Sequence, residues 1–197
     1  MNKRHLLVTG ALAATTVAWR PAQAAPAKGG RGGPGLLTVA GSIGRSNRGA
    51  LDPALDVLMV RHNSKFERAF EFDAAMLAKL PAVTIAPTLE YDAKVHKLAG
   101  PLLSSVVEAA GVQPGAAVTL GLRALDGYTV NVSLADARAY RMIVATTLDG
   151  APMALGGLGP LWAVYDANRL PAFKDKPLKE RFALCPWGLY FIDVKAA

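Results

Sequence analysis

The sequence is poor in the side chains that most often bind metal ions. Its 197 residues include one cysteine, Cys185, and three histidines, and none of them stands in an H-x-x-x-H or C-x-x-C pattern. Those spacings are typical of zinc and iron sites, so a metal centre built from protein side chains alone is not expected. A single cysteine forms no internal disulfide, and the apolar neighbours of Cys185 predict a buried, inert side chain.

The sequence also lacks a strong charge imbalance and a long apolar run. The formal net charge is +7, but three basic residues and no acidic ones fall in the first 24 positions, which leaves +4 for the rest. No basic run is interleaved with aromatic residues, so nucleic acid is not an expected partner. The apolar run Leu6–Trp19 is shorter than the roughly 20 residues that span a bilayer, so no stable membrane insertion is expected.

The N-terminal composition predicts export. A basic pair, Lys3-Arg4, precedes the apolar run, and Ala22-Gln23-Ala24 follows it as a cleavage site. We therefore predict a signal peptide at residues 1–24, and a periplasmic or secreted protein; an uncleaved N-terminal anchor is the alternative. Glycine and proline dominate residues 25–35, which indicates a flexible tether. Residues 36–197 are long enough to form one domain with its own core.

The apolar patterns predict an α+β fold with a mixed sheet and a few short helices. Apolar residues of GPLLSSVVEAAG (100–111) fall on one face of a helix that Gly111 ends. Apolar residues alternate on both sides of Asp126-Gly127, which is a strong hairpin signal. Three further elements are predicted: a helix opened by Asp52-Pro53, a strand in FERAFEF (66–72), and a helix capped by Asp73.

The stretch PTLEYDAKVHKLAG (87–100) is the first candidate site. The pattern predicts the end of a strand, a polar loop and the start of a helix, and such loops commonly hold ligands. The loop offers Tyr91 and His96. His96 is interpreted as an exposed loop residue, with a catalytic base as the alternative.

Two other features are open to more than one interpretation. GGLGP (156–160) lacks the lysine of a nucleotide-binding loop, so it predicts a tight connection between strands, with a phosphate cradle as the alternative. Arg123, beside the Asp-Gly-Tyr turn, is predicted to point away from the apolar face of its strand. It is either a solvated strand residue or a group that binds an anionic ligand.

Five segments together resemble the molybdopterin-binding domain of the sulfite oxidase family. They occur in that family's order and cover roughly residues 36–194. The segments are FDAAMLAKLPAVTIAPTLEY (72–91), GPLLSSVVEAAGV (100–112), LRALDGYTVNVSLADA (122–137), LDGAPMALGGLGPLWAVY (148–165) and PWGLYFIDV (186–194).

The resemblance implies a mixed, partly barrel-like α+β domain with a pterin groove. It also implies oxygen-atom transfer at a molybdenum held by the pterin dithiolene and by one cysteine thiolate. In the family that cysteine follows a Thr-Leu-Glu strand end, and here the matching position is Tyr91. A phenol is a harder ligand than a thiolate, with a pKa near 10 rather than about 8.5, so it substitutes poorly.

Two more departures accompany this one. The family carries a long segment between its cysteine and the next helix, whereas residues 92–99 are short here. Loaded enzymes of the family are exported folded by the twin-arginine route, and Lys3-Arg4 matches that signal only weakly. Cys185 is predicted to lie in the last strand, far from Tyr91 along the chain, and is not expected to replace the missing ligand.

The sequence therefore predicts an exported, degenerate member of the sulfite-oxidase-like family that acts as a binding or accessory module. No residue is assigned as catalytic or metal-binding, and the molybdenum cofactor is expected to be absent. Tyr91, His96 and Arg123 are the predicted pocket residues, with a small anion as ligand and a periplasmic or membrane redox protein as partner. The alternatives are an active molybdopterin oxidoreductase with an unusual ligand set, and an unrelated periplasmic enzyme or structural domain.

Overall fold

The computed structural model describes residues 32–196. The predicted signal peptide and most of the predicted tether lie outside these residues. The last part of the tether contacts the domain, since the Gly32 amide donates a hydrogen bond of 3.0 Å to the Asp73 carboxylate. No helix within the described range is long and apolar enough to cross a membrane.

Strands make up most of the regular structure. Residues 32–196 form eleven strands: β1 (Leu37–Gly41), β2 (Ala69–Phe72), β3 (Ala82–Ile85), β4 (Leu98–Pro101), β5 (Val118–Ala124), β6 (Thr129–Ser133), β7 (Ile143–Ala145), β8 (Thr147–Leu148), β9 (Ala151–Pro152), β10 (Trp162–Val164) and β11 (Leu189–Ala196). The same residues form four α-helices: α1 (Val57–Arg61), α2 (Ala74–Ala78), α3 (Leu103–Ala109) and α4 (Leu134–Ala139). The single-domain α+β class predicted from the sequence is confirmed.

The main sheet is mixed and open, with the strand order β2-β1-β11-β5-β6. β1 and β11 are parallel, with Val39 opposite Ile192, while the other pairs are antiparallel. β3, β4, β8 and β9 form a second sheet, and β7 pairs with β10 in a third. The C-terminal strand β11 therefore lies at the centre of the main sheet and joins the two halves of the chain.

The core lies on one face of the main sheet. α4 packs on β5 and β6, α3 packs on α4 and β7, and the facing side chains are fully buried. The largest of them include Trp162, Tyr165, Leu120, Leu122 and Met142. The opposite face carries a smaller apolar cluster, Ala40, Ala69, Tyr190 and Phe191, against which Met59 and Phe66 pack. The main sheet thus buries side chains on both faces around β11.

Several predicted elements are found where the sequence placed them. The hairpin consists of β5 and β6, α3 buries the predicted apolar face, and Asp73 accepts a hydrogen bond of 2.7 Å from the Met76 amide at the start of α2. Gly111 follows α3 with a φ of 93°, a conformation that glycine adopts without strain.

The predicted starts of the first helix and of the FERAFEF strand are wrong. α1 begins at Val57 rather than after Pro53, because the Asp52 carboxylate accepts the amides of Ala54 and Leu55 in a turn of its own. The strand in FERAFEF begins only at Ala69.

The loop after Tyr91 leads into strand β4, not directly into a helix, and α3 begins at Leu103. β4 pairs with both β3 and β8, which satisfies its backbone groups in a sheet. Gly100 allows the approach of β7, since a Cβ there would lie 1.9 Å from the Val144 carbonyl oxygen.

Candidate functional site

The segment that carries Tyr91 is a tight loop held by its own backbone. Thr88 and Val95 form a β-bridge, the Leu89 amide donates to the Lys94 carbonyl oxygen at 2.9 Å, and Ala93 adopts a φ of 57°. Leu89 is buried and anchors the loop in the core, while the Tyr91 side chain is 56% exposed at its tip. The loop therefore presents Tyr91 on a fixed backbone.

Tyr91 lines a cavity of about 390 Å³, called here the aromatic cavity. Its walls come from the Tyr91 loop, from the β5–β6 turn and from the segment that precedes β11. The residues that define it are Glu90, Tyr91, Asp126, Tyr128, Lys179, Phe182, Cys185 and Trp187. The exposed rings of Tyr91, Tyr128 and Trp187 give the cavity its name, and a volume of this size suits a small organic ligand.

Hydrogen bonds fix the walls of the aromatic cavity. The Tyr128 hydroxyl donates to the Ala183 carbonyl oxygen at 2.7 Å, which ties the β5–β6 turn to the segment before β11. The Trp162 indole donates to the Cys185 carbonyl oxygen at 2.9 Å. The Leu125 amide donates to the Gly188 carbonyl oxygen at the same distance. The cavity is therefore largely preformed, which reduces the entropic cost of binding a ligand.

Cys185 lies in this cavity, beside the position predicted for the missing ligand. Cys185 precedes β11, so its predicted place in the last strand is wrong. It is far from Tyr91 along the chain, but the chain between them folds back through β10 and returns before β11, so both residues line this cavity. The predicted burial is confirmed, since Cys185 is 3% exposed. Burial raises the pKa of its thiol to about 12.

The aromatic cavity has more acidic than basic side chains. Glu90 and Asp126 face a single cation, Lys179. Partial burial and the nearby Glu90 carboxylate raise the pKa of Tyr91 to about 12. At neutral pH both the phenol and the Cys185 thiol are therefore protonated, and the carboxylates supply the negative charge of the cavity.

The donors at this cavity do not fit the molybdenum of the resembling family. That metal needs a soft, ionised sulfur ligand, and the only thiol is buried, protonated and close to a carboxylate that opposes its ionisation. Lys179 is the only cationic side chain in the lining for a pterin phosphate. Within residues 32–196 no group of three or more His, Cys, Asp or Glu side chains is arranged to hold a metal ion.

His96 lies outside the aromatic cavity and is bound between two carboxylates. Its Nε2 is 2.9 Å from the Asp92 carboxylate, and its Nδ1 is 2.7 Å from that of Asp149 in the β8–β9 turn. The hydrogen bond to Asp149, and then that to Asp92, raise the pKa of His96, while the bonds to His96 lower both aspartate pKa values. His96 thus links the Tyr91 loop to the β8–β9 hairpin of the second sheet.

Arg123 also lies outside the aromatic cavity, on the outer face of the main sheet. Its guanidinium donates to the His62 carbonyl oxygen, to Ser64 Oγ at 3.0 Å and to Thr129 Oγ1 at 3.2 Å. It also lies over the Phe191 ring, 6.0 Å from the centroid. These contacts hold the end of α1 on the sheet, so the structure places only Tyr91 of the three predicted residues in the cavity.

Sequence reasoning missed Glu90, Asp126, Tyr128 and Trp187 as site residues. Each belonged to a pattern with another explanation, such as the end of a strand or a hairpin turn. The glycine loop 156–160 connects β9 to β10, as predicted. A second recess is lined by Gly156, Gly157 and Leu158 of this loop and by the rings of Tyr91 and Trp187.

Among solved structures, the chain resembles the sulfane dehydrogenase SoxCD from Paracoccus pantotrophus. The TM-score is 0.54 and the sequence identity 11%, over 82% of this chain. The chain spans only 38% of that protein's length. No family model matches the sequence, and no curated protein matches it. At this identity the likeness shows the fold alone, and it is consistent with the sulfite-oxidase-like fold predicted above.

Proposed function

We propose that the protein is a noncatalytic binding module with a sulfite-oxidase-like fold, in which the aromatic cavity binds a small organic cation. The observation that carries this proposal is the composition of the lining: three partly exposed aromatic rings and two carboxylates around one cavity. Aromatic faces attract cations, and quaternary ammonium groups are commonly held in such cages. The module takes its ligand at the position where the resembling family binds its metal.

The charge of the lining argues against the small anion predicted from the sequence at this position. An anion in the aromatic cavity would face Glu90 and Asp126, with only Lys179 to balance them. A cation would neutralise this charge and contact the rings of Tyr128 and Trp187. The ligand class of the aromatic cavity therefore follows from the residues that the fold brings together.

The proposal is tested with choline and its neutral carbon isostere, 3,3-dimethyl-1-butanol, by calorimetry and by the fluorescence of the tryptophans. Choline is expected to bind, and the isostere to bind at least about tenfold more weakly, because a desolvated cation–π contact is worth roughly 1–2 kcal/mol. Trp187→Leu and Glu90→Gln should weaken choline binding. Glu67→Gln, which removes an exposed carboxylate outside the cavity lining, is the matched control. Equal affinities for choline and the isostere would refute the proposal.

A second candidate is an active molybdopterin oxidoreductase with an unusual ligand set. The observation that favours it is that Cys185 lines the same cavity as Tyr91. This candidate predicts stoichiometric molybdenum and pterin in protein purified from its native host, both lost in Cys185→Ala. Metal-free, folded protein from that host would exclude it.

The proposed cellular location of the module follows from the predicted signal peptide. A cleaved signal peptide at residues 1–24 would deliver the domain to the periplasm, where an accessory role beside a periplasmic or membrane redox protein is the proposed context. Fractionation of native-host cells, with mass spectrometry of the mature N-terminus, tests the location. A mature chain that starts at residue 25 in the periplasmic fraction is the expected result.

A further inference from the structure

A further cavity is lined in part by Lys97, which follows the Tyr91 loop. It has a volume of about 440 Å³ and is called here the basic cavity. Its walls come from β3, from the end of α4 and from the turn at Ala167–Arg169. The residues that define it include Ile85, Lys97, Tyr140, Arg141, Asp166, Arg169 and Leu170.

Cationic side chains outnumber acidic ones in the basic cavity. Lys97, Arg141 and Arg169 surround it, and Asp166 is the only carboxylate in the lining. Arg141 follows α4 in the left-handed conformation, with a φ of 49°, and within residues 32–196 no ion pair or hydrogen bond is found for its guanidinium. The cavity therefore offers a free planar guanidinium, which binds carboxylates in a two-point geometry.

Asp166 supplies the second, independent observation. Its side chain is 12% exposed, and Oδ2 lies 3.4 Å from Nε of Arg169. Oδ1 is enclosed and has no hydrogen-bond partner within the described part of the chain. An enclosed carboxylate with one oxygen that receives no hydrogen bond is unfavourable, and Asp166 lines the basic cavity, so a cationic group brought to this carboxylate from the cavity would compensate its charge.

We propose that the basic cavity binds a free α-amino acid with an apolar side chain. The ligand ammonium donates to Asp166, and its carboxylate pairs with Arg141 and Lys97. Its side chain contacts the apolar wall formed by Ile85 and Leu170. An amino acid carries its ammonium and its carboxylate on the same carbon atom, whereas a phosphate would bring no donor to Asp166 and a simple amine would leave the three cations without a counter-charge.

This inference is independent of the function proposed for the aromatic cavity. The two linings share no residue, and they attract groups of opposite charge. Binding of amino acids can therefore fail while binding of choline succeeds, and the reverse.

The test uses the full domain and four probes, L-alanine, L-valine, L-leucine and L-phenylalanine, by calorimetry and thermal shift. At least one of them is expected to raise the melting temperature at a concentration of about 10 mM, through preferential binding to the folded state. For that amino acid, the N-acetyl derivative lacks the ammonium and the amide derivative lacks the carboxylate. Each is expected to bind at least about tenfold more weakly. No response to any of the four overturns the proposal.

Two variants locate the site, and a third controls for charge. Asp166→Asn and Arg141→Gln should each reduce the affinity at least about tenfold, because each removes one half of the two-point recognition. Arg61→Gln removes an exposed cation that does not line the basic cavity and should leave the affinity unchanged. Thermal melting without ligand shows that each variant is folded. Unchanged affinity in either folded cavity variant would overturn the assignment.

Discussion

The aromatic cavity and the basic cavity are built from neighbouring segments, but their linings carry opposite net charge. The Tyr91 loop contributes Tyr91 to the aromatic cavity and leads into Lys97, which lines the basic cavity. The aromatic cavity combines exposed rings with two carboxylates, whereas the basic cavity combines an apolar wall with three cations. Neighbouring segments of the same fold therefore form two cavities of different chemistry, and the side chains in each lining set that chemistry.

A packed aromatic cluster lies between the cavities. Tyr165 contacts Tyr140 of the basic cavity, with ring centroids 5.7 Å apart, and stacks on Phe182 of the aromatic cavity, with centroids 6.4 Å apart. The Tyr165 hydroxyl donates to the Arg181 carbonyl oxygen at 2.8 Å. This ring therefore supports both cavities while keeping them apart.

The largest expected effect concerns the thiol in the aromatic cavity. Because the pKa of Cys185 is raised to about 12, roughly one thiol in 10⁴ is ionised at pH 8. We expect native protein to react with iodoacetamide on the order of 10³-fold more slowly than an ordinary free thiol, as measured by mass spectrometry over time. Denatured protein is the control and should react at the ordinary rate. Rapid alkylation of the native chain would mean that the aromatic cavity holds an active thiolate.

The next effect tests the ring between the cavities. Tyr165→Ala should lower the free energy of unfolding by about 3–5 kcal/mol, since it leaves a void in a fully buried cluster. Tyr165→Phe keeps the ring and loses only the hydrogen bond to Arg181, at about 1 kcal/mol. Urea denaturation measures both. A loss in Tyr165→Ala no greater than that in Tyr165→Phe would mean that this ring does not support the two cavities.

The parts of the fold with strong local patterns were predictable from the sequence. α3 and the β5–β6 hairpin have unambiguous periodicity and end at Gly111 and Asp126-Gly127, so local preference and packing agree. Burial of Cys185 followed from its apolar neighbours in the same way.

The cavities were not predictable, because distant segments form them. Glu90, Asp126 and Cys185 belong to three segments that are distant in the sequence, and they line one cavity only in the folded domain. Arg123 was a reasonable anion-binding candidate from its strand position, but its register opposite Phe191 places it under α1. A sequence pattern fixes which face a strand residue occupies, and the tertiary fold decides what covers that face.

A smaller effect separates the carboxylates of the two cavities. Without ligand, Asp166→Asn should raise the free energy of unfolding by about 0.5–1 kcal/mol, because it removes an enclosed charge whose Oδ1 has no donor. Glu90→Gln is the matched change in the aromatic cavity and should have little effect, since Glu90 is only partly buried. Thermal or chemical denaturation at neutral pH checks both. Destabilisation by Asp166→Asn would indicate that the carboxylate is satisfied within the folded chain.

The smallest effect concerns His96, in the loop that runs from Tyr91 of the aromatic cavity to Lys97 of the basic cavity. The raised pKa of His96 means that its contribution to stability is present below the unfolded value of about 6.5 and is lost as pH rises through the folded value. The pKa values of Asp92 and Asp149 are lowered in the folded state. These carboxylates therefore contribute to stability above about pH 4, and this contribution is lost as pH falls through the folded values. The cluster is therefore most stabilising at mildly acidic pH, between these limits.

His96→Gln should consequently lower the melting temperature by roughly 1–3 °C at pH 5.5 and by less at pH 8.5, because exposed ion pairs contribute little. Calorimetry at the two pH values measures the difference. His62→Gln alters a histidine that is hydrogen-bonded to Tyr190 on the outer face of the main sheet and lines neither cavity, and it is the matched control. An equal loss at both pH values in His96→Gln would mean that His96 acts in this loop as a neutral hydrogen-bonding group rather than as a cation between two carboxylates.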